Sequence, residues 1–171
     1  MGRLRAAAGS IVFLAVAPGV VAGLVPWLLT GWDSSAPPAW LQVVGWVVLV
    51  VGLAVLVEAF GRFVVEGIGT PAPVAPTETL VVGGLYRYVR NPMYLAVAAV
   101  ILGQAAVLGS WLLVVYALVF GAVVWSFVHW YEEPALRRRF GEEYEEYVRT
   151  VPGWWPRVRG SPRGSDPRLR R

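Results

Sequence analysis

The sequence predicts an all-α, multi-pass membrane protein with about four spans and a cytoplasmic C-terminal amphipathic helix. Three observations carry this reading. Hydrophobic residues make up 57% of the 171-residue chain and charged residues only 15%, against about 25% in soluble domains. The apolar residues gather into stretches long enough to cross a hydrocarbon core of about 30 Å. The basic residues, all arginine apart from His129, fall on one side of the bilayer when the chain is threaded through four spans.

The first stretch runs from Ser10 to Leu29, with Arg3 and Arg5 ahead of it. It is read as a span rather than a signal peptide, because no small-residue cleavage site with a polar mature segment follows it. The second runs from Trp40 to Phe60, the third from Pro92 to Leu108 and the fourth from Ser110 to Trp130. The turn at Gly109-Ser110 is too short for anything but a tight antiparallel pair. Arg62, Arg87 and Arg90 lie between spans two and three, and Arg137 to Arg139 and Arg149 follow span four. Both termini are then cytoplasmic. Trp27, Trp32, Trp40 and Trp111 mark the outer interface, and Trp125, Trp130 and Tyr131 the inner one.

Three units are expected: residues 1–65 with two spans, residues 66–157 as the functional core, and residues 158–171 as a disordered basic tail. Thr70-Pro71-Ala72-Pro73 and Pro76 exclude a regular helix in the loop after span two, since proline removes donors and restricts its predecessor. A helix is expected from Pro134 to Val148. Glu132 and Glu133 suit its N-terminus. Leu136, Phe140, Tyr144 and Tyr147 form its apolar face, and Arg138–Glu142 and Arg139–Glu143 its four-apart charge pairs.

Composition excludes several chemistries. Cysteine is absent and histidine occurs once, so disulfides, thiolate nucleophiles and polyhistidine or cysteine metal sites are out. No metal is expected. The pI near 9.8 follows from arginines at a membrane face, so no nucleic-acid partner is expected. The absence of lysine beside abundant Ala, Val, Gly and Arg points to a GC-rich bacterial source and an inner membrane.

Two polar motifs interrupt the apolar chain. One is Gly84-Leu85-Tyr86-Arg87-Tyr88-Val89-Arg90-Asn91-Pro92-Met93-Tyr94. The other is Tyr131-Glu132-Glu133-Pro134, continued by Phe140-Gly141-Glu142-Glu143-Tyr144-Glu145-Glu146-Tyr147. About forty residues separate them, the length of a hairpin that crosses a bilayer and returns. Both motifs then meet at one membrane face. Taken singly, each has a plain alternative as an interfacial anchor or an acidic helix start. Glu58, at the inner end of span two, either snorkels or pairs with an arginine, and Gln104 bonds across helices.

In their order and spacing, "GTPAP", "TLVVGGLYRYVRNPMY" and "YEEPALRRRFGEEYEEY" resemble the integral-membrane methyltransferases that include isoprenylcysteine carboxyl methyltransferases and phosphatidylethanolamine N-methyltransferases. The resemblance covers Gly67 to Pro156. It implies S-adenosylmethionine as methyl donor, held at the cytoplasmic end of the helices. Thr79, Leu80 and Val81 then correspond to a backbone strip along the cofactor, and Tyr86 to the tyrosine after the glycine. Asn91, Pro92 and Tyr94 occupy the "HPxY" positions, and Glu132 with Glu133 the acidic pair.

The residue types suit such a donor. Arg90 or Arg87 can hold its carboxylate, and Glu132 its ribose hydroxyls or ammonium. Tyr86, Tyr94 and Trp130 can face the sulfonium. Arg90, Asn91 and Glu133 are the candidate catalytic residues. The isoprenylcysteine type carries an arginine where Val128 stands and a histidine where Asn91 stands. The acceptor is therefore expected to be another lipophilic small molecule or lipid, contacted near Val128 and His129, with His129 or Glu133 as base for an amine. The phospholipid N-methyltransferase and the non-catalytic lipid-binding module are the competing readings. Membrane lipids are expected neighbours, and no protein partner is predicted.

Overall fold

The computed structural model describes residues 16–65 and 79–156, which form helices and no strand. Arg3, Arg5, the proline-rich loop and the basic tail lie outside them. Five helices are named here: α1 (Val16–Thr30), α2 (Ala39–Val65), α3 (Pro92–Leu108), α4 (Trp111–Phe140) and α5 (Glu142–Thr150). A single 3₁₀ turn, Gly84–Arg87, precedes α3.

Helices α2 and α4 are long and apolar enough to cross a membrane, and α1 and α3 are shorter apolar helices. At 1.5 Å per residue, α2 spans about 40 Å. Val43, Val47, Val50, Val51 and Val57 of α2 and Leu118, Val119 and Val123 of α4 stand exposed. An apolar surface this continuous has lipid as its natural solvent. The chain is a helical membrane protein.

Helices α2 and α3 share the most intimate contact. A Cβ on Gly45 would lie 2.7 Å from the Val107 nitrogen, and one on Gly103 would lie 2.8 Å from the Leu49 Cβ. Two glycines thus let the backbones meet, the usual route to tight packing where lipid removes the hydrophobic drive. Around them Leu56, Phe60, Val97, Val100, Ile101 and Leu113 form the core. The Asn91-Pro92 start and the left-handed Gly109 end (φ 68°) bound α3 where the sequence places it.

Proline shapes two other helices. Pro26 has no N–H for the carbonyl of Ala22. The chain widens into a π turn at Val20–Leu24 just ahead of it, and Gln104 Nε2 supplies the missing donor to Ala22 O at 2.7 Å. Gln104 Oε1 also accepts from Trp32 Nε1 at 3.3 Å, and Tyr116 donates to Val21 O at 2.8 Å. Gln104 therefore bonds across helices, as its polarity within a span suggests. The same device recurs in α4, where a π turn at Val128–Glu132 ends two residues before Pro134.

That second π turn corrects the expected C-terminal helix. Glu132 and Glu133 do not begin a helix, because α4 runs unbroken past them to Phe140. The break comes instead at Gly141, whose φ of 53° and ψ of −123° belong to glycine. The separation also prevents the expected Arg138–Glu142 and Arg139–Glu143 pairs. Arg137 bridges the break to Glu145 at 2.7 Å instead. The apolar face does assemble: Tyr144, Tyr147 and Val151 are buried together, with Leu136 and Phe140 packed against them.

Candidate functional site

The polar residues collect at one end of the bundle, where α2 ends, α3 begins and α4 turns into α5. Tyr94 is on the first turn of α3, and its hydroxyl donates to Glu132 Oε2 at 2.9 Å. Arg90 lies just before α3, and its Nη1 donates to Glu133 Oε1 at 2.7 Å and to the Tyr144 hydroxyl at 3.1 Å. Two neighbouring glutamates thus serve two partners at the start of α3. The Arg90 and Glu133 side chains are 14% and 18% exposed, so this pair is screened far less than a surface ion pair.

The segment after α5 closes the cluster. Arg90 N donates to Pro152 O at 2.9 Å, and Asn91 Nδ2 donates to Gly153 O at 3.1 Å. A Cβ on Gly153 would lie 3.2 Å from Arg90 Nη2. The Trp154 ring lies 6.5 Å from that of Tyr94, tilted by 32°. None of Pro152, Gly153 and Trp154 stands out in sequence, because the signal is only a short Pro-Gly-Trp-Trp run between a helix and a basic tail.

Three phenols line the floor. Tyr86 is buried beside Ala59, Val81 and Met93, and Tyr147 donates to its carbonyl at 2.7 Å. Burial pushes the Tyr86, Tyr144 and Tyr147 phenols above their ordinary range, so all three stay neutral donors at physiological pH. For Tyr86, nearby Tyr147, Glu132, Tyr94 and Glu58 add to the effect.

The remaining expected residues divide. Val81 is buried with Tyr86, Leu80 packs against the Tyr144–Tyr147–Val151 cluster, and Thr79 is exposed. Pro92 is fully buried as the first residue of α3. Val128 is 3% exposed, but His129 is on the open face, its ring stacked on Trp125 at 5.3 Å. Trp130 is 72% exposed and meets Trp125 edge-on, away from Tyr94. Arg87 lines a groove beside Glu58 and not the Arg90 cluster.

Two buried side-chain polar atoms have no partner among the described residues, Arg90 Nε and Glu58 Oε2. An unsatisfied buried guanidinium nitrogen costs free energy unless an acceptor arrives. It fits a donor molecule that carries a carboxylate. With the Glu132–Tyr94 pair and the Tyr94 and Trp154 rings close by, the residues present suit a ligand with an acid, hydroxyls and a cationic sulfur.

The chain is also similar to known proteins. An 82-residue stretch is 37% identical to the protein-S-isoprenylcysteine O-methyltransferase of Schizosaccharomyces pombe. The match takes in 46% of this chain and 34% of the yeast protein, so the chain spans about a third of that relative. Residues 40–143, which take in nearly all of α2, all of α3 and α4, the first polar motif and the second as far as Glu143, match the phospholipid methyltransferase family. By that match, which covers more than half of its length, the chain belongs to the phospholipid methyltransferase family.

Proposed function

We propose that this protein is an S-adenosylmethionine-dependent methyltransferase that acts on a small lipophilic or membrane-embedded acceptor. The observation that carries the reading is the paired arrangement of Arg90–Glu133–Tyr144 and Tyr94–Glu132 at one bundle end, with Arg90 Nε left without a partner among the described residues. Family membership and the likeness to the yeast methyltransferase support it. The same reading places four spans in an inner membrane with both termini cytoplasmic.

When bound, S-adenosylmethionine supplies an electrophilic methyl group on sulfur. The chain's residues hold and enclose. Arg90, fixed by Glu133 and Tyr144, offers Nε to a carboxylate. Glu132, fixed by the Tyr94 hydroxyl, offers its second oxygen to hydroxyls or an ammonium. The Tyr94 and Trp154 rings offer their faces to a sulfonium, each worth up to about 2 kcal/mol when desolvated. Asn91 and Glu133 spend their polar groups on Gly153 and Arg90, so they act as positioning residues. Val151 and Trp154, together with α5, keep water from the cluster, which in-line methyl transfer needs more than acid–base machinery.

The test is calorimetric titration of the detergent-purified protein with S-adenosylmethionine and S-adenosylhomocysteine, with Glu132→Ala as control. Saturable binding that the variant loses supports the reading. A well-folded protein that binds neither compound, with lipid restored, overturns it in favour of a non-catalytic lipid-binding module.

A further inference from the structure

The segment that closes over Arg90 has little of its own to hold it there. Helix α5 ends at Thr150, and Val151 is extended, with φ −118° and ψ 125°. From Pro152 to Pro156 the chain has no regular structure. Two carbonyls tie this strap to the start of α3: Pro152 O accepts from Arg90 N, and Gly153 O accepts from Asn91 Nδ2. The fit is close, since a Cβ on Gly153 would lie 3.2 Å from Arg90 Nη2. Two hydrogen bonds are a modest net hold against the entropy of a strap without helix or sheet.

The strap carries two consecutive indoles with opposite fates. Trp154 is partly buried, its ring 6.5 Å from that of Tyr94. Trp155 is 84% exposed, the most exposed large apolar side chain among the described residues. Its depth is fixed by its neighbours. Arg90 and Asn91, which hold the strap, immediately precede Pro92, the first residue of the apolar helix α3. On α4, Glu132 is bonded to Tyr94 in the first turn of α3, so Trp130 and Tyr131 just before it lie at about the same depth. They too are exposed, at 72% and 52%. Aromatic rings gathered at the end of apolar helices mark a membrane–water interface, where the indole body meets acyl chains and its N–H meets headgroups.

We propose that Trp155 seats in the headgroup region of the bilayer and anchors the strap, so that the wall over Arg90 is held in place partly by lipid. A second copy of this chain is the other surface that could cover an indole. The strap offers such a partner one large side chain, of about 150–250 Å², against the roughly 800 Å² per partner that a stable protein interface buries. A lone indole at this depth suits the bilayer instead. The inference rests on the membrane placement of α3 and α4 and not on methyl transfer.

The chain has no cysteine, so Trp155→Cys takes a bimane label at one place only. The labelled full chain is reconstituted, without any methyl donor, in phosphatidylcholine vesicles that carry a nitroxide either on the headgroup or near the acyl terminus. Iodide, present on both sides of the vesicle, is the aqueous quencher. The headgroup nitroxide is expected to quench most strongly. Stronger quenching by iodide or by the deep nitroxide overturns the anchor. Protection from all three overturns it too, since protein would then cover residue 155. A second measurement needs no label. Arg90 N donates to Pro152 O, so amide exchange at Arg90 reports opening of the strap. In vesicles, Trp155→Ser should exchange there about tenfold faster than wild type, the scale of losing part of an indole's apolar burial. Trp155→Tyr, which keeps an interfacial ring, should restore slow exchange. Equal exchange in the serine variant and wild type, or no rescue by tyrosine, overturns the anchor. Both readouts work without a methyl donor, so failure here leaves the methyltransferase reading standing, and failure of donor binding leaves the anchor standing.

Discussion

The side-chain amide of Asn91 donates to the carbonyl of Gly153 at 3.1 Å, tying the first residue before α3 to the segment after α5. Sixty-two residues separate the two in sequence, and the bond is partly buried, so it holds the closing segment over Arg90. Asn91→Ala should lower stability by about 1 kcal/mol, the usual net worth of such a bond. Asn91→Asp should cost more, because a carboxylate would then face a carbonyl oxygen. Thermal unfolding in detergent checks the order. If the aspartate variant is the more stable of the two, the assigned contact is wrong.

Tyr94 and Glu132 should behave as one unit in donor binding. Tyr94→Phe and Glu132→Gln should each weaken S-adenosylmethionine binding by about tenfold, the scale of a hydrogen bond to a charged group. The double variant should be little worse than either single one, because both act on the same charge-assisted bond. Calorimetry on the four proteins closes the cycle. Strictly additive losses would show that the two residues act separately.

The glycines of the bundle should not be equivalent. Gly103→Val would press a branched side chain into Leu49, where even a Cβ lies 2.8 Å away, and should destabilise by about 1–3 kcal/mol. Gly121→Ala meets nothing within 4 Å and should be neutral or stabilising by up to about 1 kcal/mol through helix propensity. Melting temperatures of the two variants measure the contrast. A tolerated Gly103→Val would mean the helices can slide apart at no cost.

Alkaline pH should act through the buried phenols. Burial pushes the Tyr147 phenol up, with Tyr144 adding and Arg90 opposing. An unfolded tyrosine titrates near 10. The folded state therefore holds its proton longer, and Tyr147 contributes stability that is full below about pH 10 and falls as pH rises beyond it. Tyr147→Phe should be less stable than wild type at pH 8 through the lost bond to Tyr86 O, and the gap should narrow above pH 10. Unfolding midpoints across pH 8 to 11.5 test this, and a gap that widens would contradict it.

How much could be read from residues alone depended on how local the cause was. The α3 boundaries were legible because Asn91-Pro92 and Gly109 act within a turn of where they stand. The meeting of the two motifs was legible because a span has a fixed length. The Gly141 break was not, because Leu136, Phe140, Tyr144 and Tyr147 keep a spacing that looks continuous, and their shared burial is achieved across a bend. The π turns escaped for a similar reason: Pro26 and Pro134 announce a disturbance, but only a neighbouring donor such as Gln104 decides its form. Trp154 escaped because its position depends on backbone bonds to Arg90 and Asn91 distant in sequence.

The π turn before Pro134 also sets an angle. Adjacent residues of a regular helix point about 100° apart, and an extra residue in one turn shifts everything beyond it in phase. Glu132 and Glu133 lie where that shift falls, and they reach Tyr94 and Arg90 respectively. The register between the hairpin and the closing helix is therefore a count of residues. Removing Tyr131 from the π turn would keep Tyr94, Arg90, Glu132 and Glu133 and still rotate Glu133 relative to Arg90.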